Sequence, residues 1–363
     1  MPRTTIIPAA TVNPAAEAAS NYTPGIGELG FSTNDIFTDD LAEAENTAQQ
    51  IQKMGGTAVR IFYILNKNTA WENYRERTCN AFQAAHDHDL QPIVTFVGYD
   101  EDGRGYMPTS KKEVKQFITT ASSIIWTVAS NKGPGRPGGC VPDQKHFIIE
   151  GPNEPNNDLF NRGLNTQTPV TSLATDIKAS QALKNEAARP EIGATVEYGE
   201  SLAVGNRDIT SYLQQQDQAL EESEQPNPYD FVDEHPYPKN PIDDPSQTMR
   251  NLKTSFNSLN NFKKTQLVFG EYAVNTINPP AAEANGYNPP VSSTVGVSEA
   301  TQVKFISNFL KVAAEMDTPW VTLFNVQDDG GGQMSSSGEY YVDGTPKSSQ
   351  PAIRYQIGKY TGR

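Results

Sequence analysis

Two glutamates stand at the ends of short apolar segments that are typical of buried strands. Glu154 follows the segment His146 to Ile149 after four intervening residues. Glu271 follows Gln266 to Phe269 after a single glycine. A pair of carboxyl groups about 5 to 5.5 Å apart can cleave a glycosidic bond with retention of configuration, because one protonates the leaving oxygen while the other attacks the anomeric carbon. If the fold brings these two glutamates together, the chain has the side chains that this chemistry needs.

The elements around the two glutamates predict a scaffold that would bring them together. Short β-like segments alternate eight times with segments of helical periodicity, which is typical of a parallel sheet. Such a chain can close into a (β/α)₈ TIM barrel or stay an open doubly wound sheet, and periodicity alone does not separate the two. We predict the barrel, in which loops after the strands build the site. The predicted strands are Gly25 to Phe31, Ala58 to Ile64, Gln91 to Val97, His146 to Ile149, Ile192 to Val196, Phe231 to Asp233, Gln266 to Phe269 and Trp320 to Val326.

The segments between the predicted strands carry apolar residues at every third or fourth position. This spacing is expected for helices that pack one face on a sheet. The clearest examples are the third helix, marked by Val114, Phe117, Ala121 and Ile125, the sixth, marked by Met249, Leu252, Phe256 and Leu259, and the seventh, from Ser298 to Met316.

A glycine motif offers an alternative to the barrel. Residues Gly25 to Gly30 read G-x-G-x-x-G, the pattern of a dinucleotide-binding turn in an open sheet. Such a turn opens directly into a helix, whereas here Phe31 to Phe37 intervenes before the first helical segment. We therefore interpret these glycines as part of the first barrel strand.

The length of the chain fits one barrel with long loops. A bare (β/α)₈ barrel needs roughly 250 residues, and the chain has 363. We predict a single barrel domain over residues 23–363. Residues 1–22, which are rich in Ala, Pro, Asn and Thr, are predicted to form a loosely ordered N-terminal arm.

An excess of acidic residues narrows the range of partners. Asp and Glu number 43 against 29 for Lys and Arg, so the formal net charge is −14. Nucleic acid and anionic membranes are therefore not expected as partners. No apolar stretch approaches the roughly 20 residues that a membrane span requires. A monomer located outside the cytoplasm is expected, although residues 1–22 lack the charged start, apolar core and cleavage site of a signal peptide.

The cysteines and histidines predict neither a disulfide framework nor a metal site. The two cysteines, Cys79 and Cys140, could form at most one bridge, and we favour free structural thiols over a disulfide. The four histidines lack the spacing of zinc ligands. We predict no metal and no cofactor.

The order of the candidate residues along the chain resembles clan A of the glycoside hydrolases. Asn153-Glu154-Pro155 follows the fourth predicted strand and Glu271 follows the seventh. The clan includes cellulases, mannanases, β-xylosidases and β-galactosidases; the run around Glu154 is similar to family 39, and the general layout also resembles family 5. The resemblance covers about Thr23 to Tyr360 and implies a barrel enzyme that hydrolyses β-linked oligo- or polysaccharides with retention. Glu154 would be the acid/base, Glu271 the nucleophile, and Asn153 a ligand of the sugar 2-hydroxyl.

Two further positions match the clan. It implies an arginine on strand two and a His-x-Tyr after strand six, and Arg60 and His235-Pro-Tyr237 provide them. The resemblance implies that Arg60 holds the carboxylate of Glu271 ionised and oriented. Tyr237 would donate a hydrogen bond to the same carboxylate, and His235 would line the site or position the acid/base.

The eighth predicted strand departs from the clan. The clan usually has a tryptophan near the end of this strand as a floor under the reacting sugar, but Trp320 stands at its beginning. Phe324 or Gln327 would take that place.

Other side chains are candidates for sugar contacts. Trp71 and Tyr99 are predicted on loops after strands two and three, where their rings could stack on sugars or pack in the core. Glu197 and Tyr198, at the end of the fifth predicted strand, could contact substrate or begin a solvated loop. Glu150 has the same strand parity as the acid/base, so it is predicted to point into the barrel, with a structural ion pair favoured over a role in the site.

Two other functions fit parts of this pattern. One is a catalytically inactive carbohydrate-binding barrel, and the intact Glu154 and Glu271 argue against it. The other is a barrel enzyme of different chemistry, such as a metal-dependent lyase or aldolase. A strand-end lysine base or a carboxylate cluster for Mg²⁺ would mark that enzyme, and the sequence shows neither.

Overall fold

Strands and helices alternate strictly along the chain in a computed structural model. The structure describes residues 26–66, 72–99, 105, 107–131, 138–157, 161, 168–203, 208–237, 243–274, 276, 297–327, 338, 340 and 346–361. The predicted N-terminal arm, residues 1–22, lies outside the described residues. None of the helices in the described ranges is long and apolar enough to cross a membrane.

The elements are named here in chain order. The strands are β1 (Glu28–Ser32), β2 (Ala58–Asn66), β3 (Gln91–Tyr99), β4 (His146–Pro152), β5 (Thr195–Ala203), β6 (Phe231–His235), β7 (Gln266–Tyr272) and β8 (Trp320–Phe324). The helices are α1 (Leu41–Met54), α2 (Glu72–Asp87), α3 (Lys111–Ala129), α4 (Pro169–Ala187), α5 (Ile209–Ser223), α6 (Ser246–Asn257), α7 (Glu299–Glu315) and α8 (Gln350–Thr361).

The eight strands close into a parallel barrel in the order β1 to β8. Closure is made by β1, which pairs with both β2 and β8, so that Ser32 lies opposite Arg60 on one side and Phe324 on the other. The predicted (β/α)₈ fold is confirmed, and the open sheet is excluded. Gly30 of the glycine motif lies inside β1, where an added Cβ would come 2.8 Å from the carbonyl oxygen of Ala58. This glycine therefore serves the close approach of two strands.

Apolar side chains fill the lower part of the barrel and the layer between strands and helices. Trp320, at the start of β8, packs its ring edge-on against Phe231 with centroids 5.3 Å apart. Strands buried on both faces are expected in a parallel barrel, because helices cover the outside. The lower cluster inside the barrel consists of Ala58, Ile93, Ile148, Phe231, Val268 and Trp320. Trp320 therefore belongs to the core at the end of the barrel where the strands begin.

The fifth strand lies further along the chain than the sequence predicts. Gly193 has a φ of 61° and forms a turn before β5, so the apolar residues on either side of it do not begin the strand. Glu197 lies in the lower half of β5, with its carboxylate 3.1 Å from the imidazole of His146. Tyr198 is buried and donates a hydrogen bond to Asp176 of α4. The prediction that these two residues could contact substrate is wrong.

Cys79 and Cys140 form a disulfide, so the prediction of free thiols is wrong. Cys79 lies on α2, and Cys140 returns along the end of α3, where its N–H donates to the carbonyl of Thr127. Because α2 and α3 are neighbours around the barrel, the two Cα atoms come within 5.7 Å. The bridge joins positions 61 residues apart and stabilises the fold mainly by restricting the unfolded chain.

A buried cluster of carboxyl and hydroxyl groups joins β5 to α4 and α5. Asp176 accepts hydrogen bonds from Tyr198 and Tyr229 at 2.5 and 2.9 Å, and Glu200 accepts one from Tyr212 at 3.2 Å. Burial raises the pKa of Asp176 to about 7. Burial, together with the charge of Asp176, raises the pKa of Glu200 to about 8. The folded protein therefore holds protons here that the unfolded chain releases at lower pH.

We expect the free energy of unfolding to fall as the pH rises from about 4 to about 8, because in that window the folded state binds more protons than the unfolded state. Replacing Glu200 by Gln, which mimics the protonated acid, should flatten this dependence and stabilise the protein by at least about 1 kcal/mol at pH 8. Urea denaturation at several pH values measures both effects. The exposed Glu221→Gln change on α5 is the matched control. An equal pH slope in Glu200→Gln and wild type would contradict the prediction.

Candidate active site

Side chains from four strands meet at the carboxyl-terminal end of the barrel. Each of these strands or the segment after it carries a polar residue that points to the barrel axis. The group consists of Arg60 from β2, Asn153 and Glu154 after β4, His235 and Tyr237 from the end of β6, and Glu271 from β7.

The turn after β4 holds Glu154 through its backbone. The N–H of Asn153 donates to the carbonyl of Phe96 on β3 at 2.6 Å, and the N–H of Glu154 donates to the carbonyl of Ser201 on β5 at 2.9 Å. Glu154 has a φ of 49°, a left-handed conformation that costs a non-glycine residue on the order of 1 to 3 kcal/mol. Bonds to both neighbouring strands therefore keep this residue in a conformation that it would not adopt alone.

Both carboxylate oxygens of Glu154 have partners. Oε1 lies 2.6 Å from Nδ1 of His235, and Oε2 accepts a hydrogen bond from the side chain of Asn157 at 2.7 Å. The side chain is only 6% exposed. Glu154 is thus held in one orientation and almost completely shielded from bulk water.

The carboxylate of Glu271 is held by a cation and a phenol. Arg60 donates from Nη1 to Oε2 at 3.0 Å, and the hydroxyl of Tyr237 donates to Oε1 at 2.9 Å. Burial and the charge of Glu271 raise the pKa of Tyr237 well above its ordinary value, so the phenol remains a donor. The side chain of Glu271 is 14% exposed, more than that of Glu154, and it faces the cleft.

The two glutamates lie close to each other, with His235 beside both. One carboxylate oxygen of Glu154, one of Glu271 and a ring nitrogen of His235 all lie within 4.8 Å of one another. Among the described residues this is the one His and carboxylate group close enough to hold a metal ion. The ring nitrogen of His235 and Oε1 of Glu154 are 2.6 Å apart, and we interpret this contact as a hydrogen bond. The spacing of the carboxylates suits direct attack by one of them on a carbon whose leaving group the other protonates.

Arg60 connects Glu271 to the barrel interior. It is fully buried and donates from Nε to Glu150 at 2.9 Å, and from Nη2 to Asn153 at 3.0 Å and to Ser201 at 3.3 Å. Burial opposes its charge, but the attraction of neighbouring carboxylates outweighs burial and raises the pKa of the guanidinium. Arg60 is therefore a permanent cation whose planar donors position several acceptors at once.

His235 connects Glu154 to the barrel interior. Its Nε2 lies 3.1 Å from Oδ2 of Asp233 and 3.0 Å from the hydroxyl of Ser201. Burial opposes protonation, but the charges of Asp233 and Glu271, with hydrogen bonds to Asp233 and Glu154, raise the pKa of His235 to about 10. A protonated ring donates from both nitrogens, so the imidazolium fixes Glu154 on one side and Asp233 on the other.

Comparison with known proteins shows which solved structures share this barrel fold. No protein-family model matches the chain, and no curated protein sequence matches it. Solved structures do match over nearly the whole chain. The endo-1,4-β-mannanase from Rhizomucor miehei is 13% identical with a TM-score of 0.61, over 93% of this chain and 95% of that one. Fungal β-1,4-galactanases are 14% identical with a TM-score of 0.61, over 90% and 98%. The chain has a clan A glycosidase-like fold.

A bacterial glycosidase shares the fold over part of its length. The exo-β-1,4-mannosidase from Opitutaceae bacterium strain TAV5 is 12% identical with a TM-score of 0.60, over 93% of this chain. The chain spans 60% of the length of that mannosidase. At these identities the comparison shows the clan A glycosidase-like fold, and the chemistry of the cleft has to be argued from its own residues.

A cavity of about 310 Å³ lies against Glu271 in this clan A glycosidase-like barrel. It is lined by Thr33, Asn34, Asp35, Phe62, Ile64, Val97, Asn153, Glu271, Phe324 and Asn325. Phe324 forms part of the cavity, and its ring packs edge-on against Phe62 at 6.4 Å between centroids. Gln327 does not line this cavity and forms a β-bridge with Tyr340. Of the two candidates for the sugar floor, the structure therefore places Phe324 at the cleft.

The other aromatic candidates have no described side chain. Trp71 lies outside the described residues. Tyr99 is the last residue of β3, and only its backbone is described.

Three residues that contact Arg60, His235 or Glu154 were missing from the sequence prediction. Ser201 was missed because it lies in the part of β5 beyond the predicted end of that strand. Asp233 precedes His235 by two residues, so the alternation of side chains along a strand places both on the same face and could have identified it. Asn157 follows the Asn-Glu-Pro motif by two residues, and its contact with Glu154 depends on a turn that the sequence pattern did not predict.

Proposed function

We propose that the protein is a retaining glycoside hydrolase that cleaves β-linked oligo- or polysaccharides, with Glu154 as acid/base and Glu271 as nucleophile. The observation that carries this proposal is the approach of two carboxylates within 4.8 Å, each with its own set of partners. Retaining enzymes have carboxyl groups about 5 to 5.5 Å apart, whereas inverting enzymes need roughly 6.5 to 9.5 Å to admit a water molecule.

The geometry supports a double displacement. In the first step Glu154 gives its proton to the glycosidic oxygen, an oxygen of Glu271 bonds to the anomeric carbon, and the leaving alcohol departs. In the second step the ionised Glu154 takes a proton from water, whose oxygen bonds to the anomeric carbon and releases Glu271. Arg60 and Tyr237 orient the attacking carboxylate, and we expect the amide of Asn153 to hydrogen-bond the 2-hydroxyl of the sugar.

The lining of the cavity supports a carbohydrate substrate. Polar side chains from the end of β1, together with Asn325, face apolar side chains that include Phe62 and Phe324. Sugar rings present hydroxyl groups at their edges and C–H groups on their faces, so they need both kinds of contact. Because the cavity contacts Glu271, the sugar bound there is the one that is attacked.

Turnover of aryl β-glycosides tests the proposal. We expect release of the phenol from at least one member of a panel of β-mannoside, β-galactoside, β-glucoside, β-xyloside and β-glucuronide, and none from the α-anomers. Nuclear magnetic resonance of the first product should show the β-anomer, because two displacements restore the configuration. An α-anomer as first product would contradict the mechanism. Binding of oligosaccharides without any cleavage would instead support an inactive carbohydrate-binding barrel.

We also propose that the protein works outside the reducing cytoplasm. The disulfide between Cys79 and Cys140 supports this location, because such bonds form and persist in oxidising compartments.

A further inference from the structure

Glu150 is a buried carboxyl group that the proposed reaction does not use. Its Oε2 accepts from Nε of Arg60 at 2.9 Å, lies 2.7 Å from Nη2 of the same guanidinium, and accepts a hydrogen bond from Thr95. Its other oxygen, Oε1, is fully buried and receives no N–H or hydroxyl donor. A carboxylate oxygen left in this state is costly in a protein interior, unless the oxygen itself carries a proton.

Asp233 lies on β6, and Glu150 lies on β4. Oδ1 of Asp233 accepts a hydrogen bond from the backbone N–H of Gly270, and its Oδ2 lies 3.1 Å from His235 and 3.7 Å from Arg60. Any side chain at position 270 would collide with this carboxyl group. Both carboxyl groups lie against one guanidinium, since Nη2 of Arg60 is 2.7 Å from Oε2 of Glu150 and 3.7 Å from Oδ2 of Asp233. Two ionised carboxylates beside one cation repel each other, whereas a proton on one of them removes that repulsion and supplies a hydrogen-bond donor.

The buried acidic groups around Glu150 and Asp233 outnumber the buried cations, which also favours an additional proton. Four acidic side chains, namely Glu150, Glu154, Asp233 and Glu271, surround the two cations Arg60 and His235. With all four ionised the cluster would have a net charge of −2 in a nearly dry interior. One proton on the Glu150 and Asp233 pair reduces this charge, and buried charges need such compensation.

We propose that Glu150 and Asp233 share one proton and act as a positioning pair, with Glu150 fixing Arg60 behind Glu271 and Asp233 fixing His235 behind Glu154. The pair thereby connects Arg60, which holds Glu271, to His235, which holds Glu154. Its effect on catalysis rests on the proposed function, whereas the shared proton can be observed in a protein that has no activity.

The chemistry of the cluster supports Glu150 as the principal holder of this proton. Burial and the charge of Asp233 raise the pKa of Glu150 to about 7, even though Arg60 opposes the shift. Asp233 stays ionised because it faces His235 and Arg60. We therefore place the proton mainly on Oε1 of Glu150, the oxygen that has no other hydrogen-bond partner.

Carboxyl ¹³C nuclear magnetic resonance of protein labelled at Glu and Asp tests the shared proton directly. In wild type we expect the carboxyl carbon of Glu150 to report a protonated acid at pH 5 and to titrate in the same step that moves the signal of Asp233. Asp233→Asn removes the repelling charge and should lower the midpoint for Glu150 by at least one pH unit. An ionised Glu150 at pH 5, or separate titrations of the two carbons, would overturn the proposal. Glu200→Gln, which removes a buried acid of the separate cluster behind β5, is the control and should leave both signals in place.

Enzyme kinetics test the positioning role. Glu150→Ala leaves Arg60 without its anchor and should lower kcat/KM by about 100-fold, the cost of a misplaced catalytic group. Glu150→Gln keeps a carbonyl for Arg60 and an N–H donor for Asp233, so it should recover activity to within about tenfold of wild type. Loss of activity in Glu150→Gln as large as in Glu150→Ala, with the protein still folded, would show that an ionised Glu150 is needed. If the wild type cleaves no glycoside, the proposed function fails while the resonance experiment still decides the shared proton.

Discussion

Replacement of Glu271 by glycine is expected to lower kcat on aryl β-glycosides by at least about 10⁴-fold, because no covalent glycosyl-enzyme can form without the attacking carboxylate. The space that the side chain leaves lies beside Arg60 and Tyr237, which donate to the carboxylate in the intact protein. A small anion such as azide fits that space and meets the same two donors. Azide should therefore restore turnover by attacking the anomeric carbon directly.

The configuration of the azide product identifies the role of Glu271. A single displacement inverts the anomeric carbon, so the rescued product of Glu271→Gly should be the α-glycosyl azide, which nuclear magnetic resonance distinguishes from the β-anomer. Glu197→Gly is the matched control, since Glu197 lies on β5 near the opposite end of the barrel and contacts His146. A β-glycosyl azide from Glu271→Gly, or a loss below about 100-fold, would mean that another group attacks the sugar.

Replacement of Glu154 by alanine is expected to slow cleavage of substrates with poor leaving groups by roughly 10² to 10⁴-fold, the usual contribution of a general acid. Substrates with good leaving groups need little protonation, so their first step should be nearly normal and the glycosyl-enzyme should accumulate. The second step then lacks its base. Steady-state rates across a series of aryl glycosides should therefore depend much more steeply on the leaving group than in wild type.

The configuration of the azide product also distinguishes the role of Glu154 from that of Glu271. In Glu154→Ala the anion should attack the covalent intermediate and give the β-glycosyl azide, with net retention. Glu197→Ala serves as the control of equal size. An α-glycosyl azide, or an unchanged dependence on the leaving group, would remove Glu154 from the role of acid/base.

Local patterns were sufficient to predict the alternation of strands and helices, because the residues that form each of these elements are consecutive in the chain. Apolar runs such as Ala58 to Ile64 predict strands, and helices such as α3 show their buried face through the spacing of Val114, Phe117 and Ala121. Boundaries were less accurate at β5, where Gly193 interrupts an apolar stretch with a turn. A residue with positive φ in that stretch cannot be recognised from hydrophobic periodicity alone.

The cleft could be predicted in part for a related reason. Parallel strands in a barrel all end at the same rim, so polar residues such as Glu154, His235 and Glu271 were expected to meet there. Their partners were harder to predict. Ser201 contacts both Arg60 and His235, but this depends on how far β5 extends toward the rim, which its own residues do not reveal.

By itself the sequence determined which residue types lie at which strand ends, because strand and helix propensities act over short distances. In a barrel the strands then follow one another around the axis in chain order. Only the tertiary structure decided the distances between those residues. Closure of the barrel brought Cys79 to Cys140, enclosed Glu150 with Asp233 in a nearly dry interior, and set the separation of Glu154 and Glu271 within 4.8 Å. Such contacts join residues of distant strands and helices, and their geometry depends on the tilt and register of the whole barrel, which no local segment of the chain contains.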